Sequence, residues 1–535
     1  MFFVFPVLSP ASQTKFQRIL DEKISKMSLE EKVGQLFIVG FPQKTITTDL
    51  ESFIQRYKPG AFLLFKRNIQ SAEQIRDLNT SLYRISYKHT KLPPLIAIDQ
   101  EGGTVSRLPI IPAPPNALAI GQTQSPLLAE EMGYHTGLFL REVGFNMNLA
   151  PVLDLADPAE LSFIGVRSFG ADPQRVAELG TAYSKGLLRA HVVPTAKHFP
   201  GTGSLKSDPH HAIVENKSSL ESLSQNDIKP YEKYVELGSM TSLMLSHLIY
   251  PALDPQREPA SFSRPIVTDL LREKLKYSGL VVTDDLQMQG SKKVLRPEAA
   301  ALRALQAGAD VVMLTWSFAD QGRAFSYVKT AVQKGELTQD EIDQKLRRIL
   351  TVKGFANIYR RDQSQPSLLH GSSLTSQKYS ELESNILSQN IKANITSVRE
   401  PSSFTASQVR SICVLSPTVS FLDSFTESTT HTVKPYHLKG SFQIKAVMNW
   451  MKQQDCSIQM ITITGPKTAA LVANFPAELK KKSLVINLGA PRLFKQSEEY
   501  LKVVQLYFSH QDSGKKIAQY FDEILGSSQQ NYVLR

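Results

Sequence analysis

Short, nearly unbroken apolar runs recur along the first 320 residues, separated by longer stretches in which apolar and polar positions alternate with helical spacing. The runs are QLFIVGF (residues 35–41), AFLLF (61–65), PLIAID (94–99), NMNLAPVLDL (146–155), VVPTAKHF (192–199), SLMLSHLIY (242–250), LVVTDD (280–285) and DVVMLTW (310–316). Strands covered on both faces read as continuous apolar runs, whereas half-exposed strands alternate. The intervening segments 71–88, 127–143, 174–190, 264–276 and 297–307 carry amphipathic helical patterns. Eight such strands alternating with helices predict a (β/α)8 barrel, with a doubly wound open sheet as the alternative that strand count does not exclude.

The pattern breaks after residue 360. A polar, Gly-, Pro- and Ser-bearing stretch, 361–378, reads as a linker. A helical segment over 376–393 follows, and then strand-like runs return at 412–416, 458–465, 484–489 and 503–509, with a helix over 514–525. These predict a second, smaller α/β domain over 379–535, built as an αβα sandwich. The barrel is expected over 25–360, preceded by an N-terminal segment, 1–24.

Composition narrows the function classes. The net charge is +11, but the basic residues are scattered, and the densest run, LKKKS at 479–483, reads as a solvated helix end. Nucleic acid is therefore not an expected partner. No stretch reaches the roughly 18 uninterrupted apolar residues of a spanning helix. Cys413 and Cys456 are too few for a disulfide framework and suit a reducing compartment. The expected location is cytoplasmic. Export through the atypical N-terminal segment MFFVFPVLSPAS is the alternative, since that segment lacks a basic start and is broken by Pro6.

In a parallel barrel, working side chains project from the C-terminal strand ends and the loops that follow. Here those ends carry Asp99, Asp154, Lys197 with His198, His247, and Asp284 with Asp285. A bare scaffold would rarely bury such groups, because an unpartnered buried charge is costly. Asp284 could be a nucleophile, a general base, a metal ligand, a helix cap or a salt-bridged barrel residue. In the loop 201–211, Asp208 stands two residues from His210, close enough to hold the imidazole in one tautomer. His198, Asp208 and His210 could make a metal site, but no second ligand pair accompanies them, and the loop lacks phosphate-loop spacing. No metal or organic cofactor is expected.

The motifs DQEGGTVSRL, IGVRSFG, KHFPGTGSLKSDPHH, PASFSRPIVTDLLREKL and GLVVTDDLQMQG occur in the order seen in family-3 glycoside hydrolases, and the chain resembles their β-N-acetylglucosaminidase branch over residues 25–360. The C-terminal part is more weakly similar to the second domain of two-domain members. The resemblance implies a retaining enzyme that removes terminal β-linked N-acetylglucosamine from cell-wall fragments through a covalent glycosyl-enzyme. It implies Asp284 as nucleophile, His210 as acid/base and Asp208 as the carboxylate orienting it. Asp99, Arg107, Arg167, Lys197 and His198 would bind the sugar. The chain departs from the family pattern at Thr202, where histidine is usual, and at Pro209, where serine is usual. The implied partner is a small carbohydrate. A β-glucosidase, a β-xylosidase, a phosphorylase or a non-catalytic sugar-binding protein are the competing readings, and the oligomeric state is left open.

Overall fold

We describe the protein from a computed structural model. It describes residues 10–108, 114–157, 163–203, 214–288, 291, 294–357, 374–396, 409–439, 442–488, 502–506 and 513–521. The described chain forms two compact units. The first holds residues up to 114, 129–155 and 172–376; the second holds 115–128, 156–171 and 377–535.

The first unit is a closed parallel barrel, which decides against the open sheet. Its strands are β1 (Phe37–Val39), β2 (Ala61–Leu64), β3 (Leu95–Ile98), β6 (Met147–Asn148), β7 (Val193–Phe199), β8 (Ser242–Leu245), β9 (Leu280–Asp285) and β10 (Val311–Leu314), in the ring order β1-β10-β9-β8-β7-β6-β3-β2. Each falls inside one of the eight apolar runs. Phe37, Phe62, Ile98, Met147, Leu243, Val281 and Met313 are buried almost completely. Removing such side chains from water contributes about 1.5–3 kcal/mol apiece.

The helices are bounded by their own chemistry. Helix Ala72–Thr90 starts where the Ser71 hydroxyl accepts the Gln74 amide, buries Ile75, Leu78 and Leu82, and stops at Lys91 in the left-handed region (φ 56°). Helix Pro173–Arg189 begins with the Asp172 carboxylate accepting the Arg175 amide, with Pro173 in the first turn, where its missing N–H costs nothing. Between β3 and β6 the chain adds a small antiparallel hairpin, β4 (Gln100–Gly102) with β5 (Val105–Ser106), which the apolar pattern does not announce. Its turn needs glycine at Gly102 (φ 108°) and Gly103 (φ 55°). The Gln100 carboxamide oxygen closes it by accepting the amides of Arg107 and Leu108 at 2.9 and 3.1 Å.

The second unit carries an all-parallel five-stranded sheet: β11 (Ser411–Ser416), β12 (Thr432–His437), β13 (Ile458–Ile463), β14 (Ser483–Asn487) and β15 (Lys502–Gln505), in the order β12-β11-β13-β14-β15. Cys413, Leu415, Ile461, Ile463 and Val485 point to one face, against Val447 and Met451 of helix Ile444–Gln454 and Leu471 and Val472 of helix Pro466–Ala473. Asn390, on helix Leu374–Thr396, donates to the Ala119 carbonyl at 2.9 Å, so the 115–128 segment belongs to this unit.

One reading needs correction. The cysteines are not free thiols: Cys413 on β11 and Cys456 just before β13 have Cα atoms 5.6 Å apart and form a disulfide. They lie 43 residues apart in sequence, and only the pairing of β11 with β13 brings them together. Closing a loop of that length removes about 4 kcal/mol of unfolded-chain entropy.

Candidate active site

The C-terminal ends of β3, β6, β7, β8 and β9, consecutive around the barrel, bring the charged strand-end residues to one mouth. Lys197 is the buried centre of this arc, only 3% exposed. Its ammonium lies 2.7 Å from Asp99 Oδ1 and 2.7 Å from Glu101 Oε1. Two carboxylates against one largely buried ammonium fix the lysine side chain in place. The arrangement offers hydrogen-bond acceptors on both sides of a strong donor, which suits a cluster of hydroxyls. Glu101 was legible only as part of DQEGG; its partnership spans 96 positions and leaves no local signal.

His198 is set by a neighbour that the sequence marked only as a strand-end carboxylate. Its Nδ1–H donates to Asp154 Oδ2 at 2.7 Å. Asp154 is 1% exposed and also accepts the amides of His198 at 3.2 Å and Thr202 at 2.9 Å. A carboxylate so held fixes both the orientation and the tautomer of the ring, leaving Nε2 as the free face. Thr202 therefore serves Asp154 through its main chain, so this contact does not depend on which side chain stands there.

Asp284 and Asp285 end β9 with different roles. Asp285 is 7% exposed; it accepts the Thr315 hydroxyl and the Gln287 amide, the latter at 2.9 Å. Burial, and secondarily the adjacent Asp284 charge, push its carboxyl up to about 6. Asp284 is partly exposed and accepts the Asp285 amide at 2.7 Å. Asp285 is thus bonded through both carboxylate oxygens, and Asp284 is the more exposed of the two. His247 on the neighbouring strand braces this end. Its Nε2–H donates to the Asp285 carbonyl at 3.2 Å, while Nδ1 pairs with the Ser261 hydroxyl at 2.8 Å.

Asp227 lies under the Gly-rich turn that follows His198. A side chain at Gly201 (φ 114°) would come within 2.7 Å of it. Asp227 is 5% exposed, and its carboxyl is raised to about 7, by burial first and then by the Asp154 charge.

Of the other expected residues, Arg107 follows the hairpin and is half-buried. Arg167 sits in the turn Gly165–Arg167, within the segment of the second unit. Asp208, Pro209 and His210 lie outside the described residues. Among the described residues, no group of three or more His, Cys, Asp or Glu side chains converges as a metal site would require.

The profile described as "Glycosyl hydrolase family 3 N terminal domain" matches residues 28–352. A Beta-hexosaminidase of Pseudomonas aeruginosa is 33% identical over 320 residues, spanning 59% of this chain and 91% of the relative. Beta-hexosaminidase A of Pseudoalteromonas piscicida is 31% identical over 331 residues, 58% of this chain and 55% of the relative. The solved glycoside hydrolase family 3 beta-N-acetylglucosaminidase from Paenibacillus sp. str. FPU-7 superposes with a TM-score of 0.80 at 27% identity, covering 93% of this chain and 97% of the other. With the profile spanning more than half of it, the chain belongs to glycosyl hydrolase family 3.

Proposed function

We propose that the protein is a retaining, exo-acting β-N-acetylglucosaminidase that releases terminal non-reducing β-linked N-acetylglucosamine from cell-wall fragments. The observation that carries this reading is the arc of Asp99, Glu101, Lys197, His198 and Asp154 beside Asp284, fixed by the buried ion pairs and hydrogen bonds described above. Relatives named beta-hexosaminidase support the same substrate class.

In the first step an Asp284 carboxylate oxygen attacks the anomeric carbon. The bond to the leaving oxygen breaks, and the His210 imidazolium, oriented by Asp208, gives that oxygen its proton. In the second step His210 takes a proton from water as the water oxygen attacks the same carbon. The bond to Asp284 breaks, and the sugar leaves with its β configuration retained. Lys197, Asp99 and Glu101 grip hydroxyls, and His198 presents Nε2 to the sugar. Arg107 adds to the binding set. A neutral imidazole as the base tolerates an anionic acceptor better than a second carboxylate would.

The Cys413–Cys456 disulfide supports an oxidising compartment reached by export over the cytoplasmic alternative. Turnover of nitrophenyl β-N-acetylglucosaminide, measured with and without phosphate and against the plain glucoside, tests the reading. Hydrolysis that prefers the acetamido sugar is expected. Equal use of the glucoside, or a sugar-1-phosphate product, contradicts it.

A further inference from the structure

The polar arc occupies one side of the barrel mouth; across Asp284, the ends of β10 and β2 form a different surface. Trp316 stands two residues beyond β10 and is 62% exposed. Phe65 stands one residue beyond β2, with its ring centroid 6.1 Å from that of Trp316. The Arg67 guanidinium carbon lies 4.1 Å from the Phe65 centroid and 4.8 Å from the Trp316 centroid, stacking on both rings. Arg67 also reaches the Thr315 carbonyl at 3.4 Å. Cation–π contact to two rings holds the indole in place without covering most of it.

The Trp316 main chain is also tied to Asp285, the sequence neighbour of the proposed nucleophile. The Trp316 amide donates to Gln287 Oε1 at 2.8 Å, and the Gln287 amide donates to Asp285 Oδ1 at 2.9 Å. Thr315, its neighbour, gives its hydroxyl to the other oxygen of Asp285. Met313 pairs in register with Asp285. Trp316 therefore stands just beyond the end of β10, the strand next to β9. A large aromatic face kept in water on a rigid mount is costly unless something covers it, and aromatic anchors of this kind dominate binding surfaces.

We infer that Trp316, backed by Phe65 and Arg67, is the stacking platform for a sugar ring of the leaving group. This rests on the glycosidase reading above. The cleaved sugar is gripped by the polar arc on β7, β6 and β3. A ring attached through the scissile oxygen extends outward past Asp284 and lays its apolar C–H face on the negative face of the indole. The indole is fixed before the substrate arrives, so little side-chain freedom is lost on binding.

Two substrates separate this wall from the rest of the site. Chitobiose places a sugar ring in the leaving group, whereas β-N-acetylglucosaminyl azide leaves a group too small to reach Trp316. Trp316→Ala is expected to lower kcat/KM on chitobiose at least tenfold and to leave the azide within twofold of the wild type, with Trp316→Phe recovering most of the loss. Equal losses on both substrates, or no loss on chitobiose, overturn the inference while leaving the glycosidase reading intact. A wild type that cleaves neither substrate overturns that reading. Fluorescence reads the platform in either case, because the chain has only two tryptophans. In an Asp284→Asn, Trp450→Phe protein, chitobiose should shift the Trp316 emission and free N-acetylglucosamine should not. No response to chitobiose, or the same response to both, overturns the inference.

Discussion

The barrel and the five-stranded sheet are both parallel sheets built by the same strand-then-helix logic, yet their strand ends differ in kind. β7 and β9 finish in or beside Lys197, His198, Asp284 and Asp285, and Lys197 is matched by the buried Glu101 and the partly buried Asp99. β11, β13 and β14 finish in Ser416, Ile463 and Asn487, and the hydroxyls of Thr462 and Ser416 bond each other at 2.7 Å. The second sheet instead ties β11 to the residue run just before β13 with a covalent bond. Ionised groups lose hydration when buried and persist only where a function or a full set of partners supports them. The contrast sets charged strand ends in the barrel against uncharged polar or apolar ends on β11, β13 and β14 and a disulfide in the second sheet.

The largest expected effect breaks the charged side of this contrast. Lys197→Ala leaves Asp99 and Glu101 facing each other without their shared cation. Removing one partner of a buried pair costs about 3–5 kcal/mol, so the melting temperature should fall by several degrees and sugar hydrolysis should disappear. A folded, active Lys197→Ala protein would show that the arc is not the site.

A smaller effect separates positioning from packing. Asp154→Asn keeps the shape but weakens the charge-assisted bond to His198, worth about 1.5–3 kcal/mol. Steady-state kinetics should show roughly a ten- to hundredfold loss in kcat/KM, since a kilocalorie and a half is about tenfold, with the fold retained. A protein that loses stability and activity in parallel would make Asp154 merely structural.

A further effect, read only on stability, concerns pH. The Asp227 carboxyl rises from 3.8 in the reference state to about 7 in the fold. The native state therefore binds more protons than the unfolded chain between these values, and this residue's contribution to stability declines as pH rises from about 4 to about 7. Asp227→Asn removes the titration. Its melting temperature relative to the wild type should be higher at pH 8 than at pH 5, and a pH-independent difference would contradict the assignment.

How much of this was legible in the sequence depends on the range of the interaction. The eight barrel strands were readable because burial on both faces makes each an apolar run. β12 was not, because its residues Thr432–His437 alternate between exposed and half-buried and include Pro435, as an edge strand allows. The strand-end positions of Asp99, Lys197, His198 and Asp284 followed from those runs. The partners of Lys197 and His198 did not, since Glu101 and Asp154 come from other strands. Cys413 and Cys456 were misread as thiols for the same reason. Trp316 looked like the last residue of a strand, and only the structure shows its ring exposed against Arg67.

The central claim is that Asp284, and not the buried Asp285 beside it, attacks the sugar. A 2-fluoro-2-deoxy glycosyl donor with a good leaving group, incubated with the enzyme and followed by peptide mass mapping, tests it most directly. We predict one glycosyl group per chain, attached to Asp284 and absent from the Asp284→Asn variant. Labelling at Asp285, or an equal label in that variant, would contradict the account.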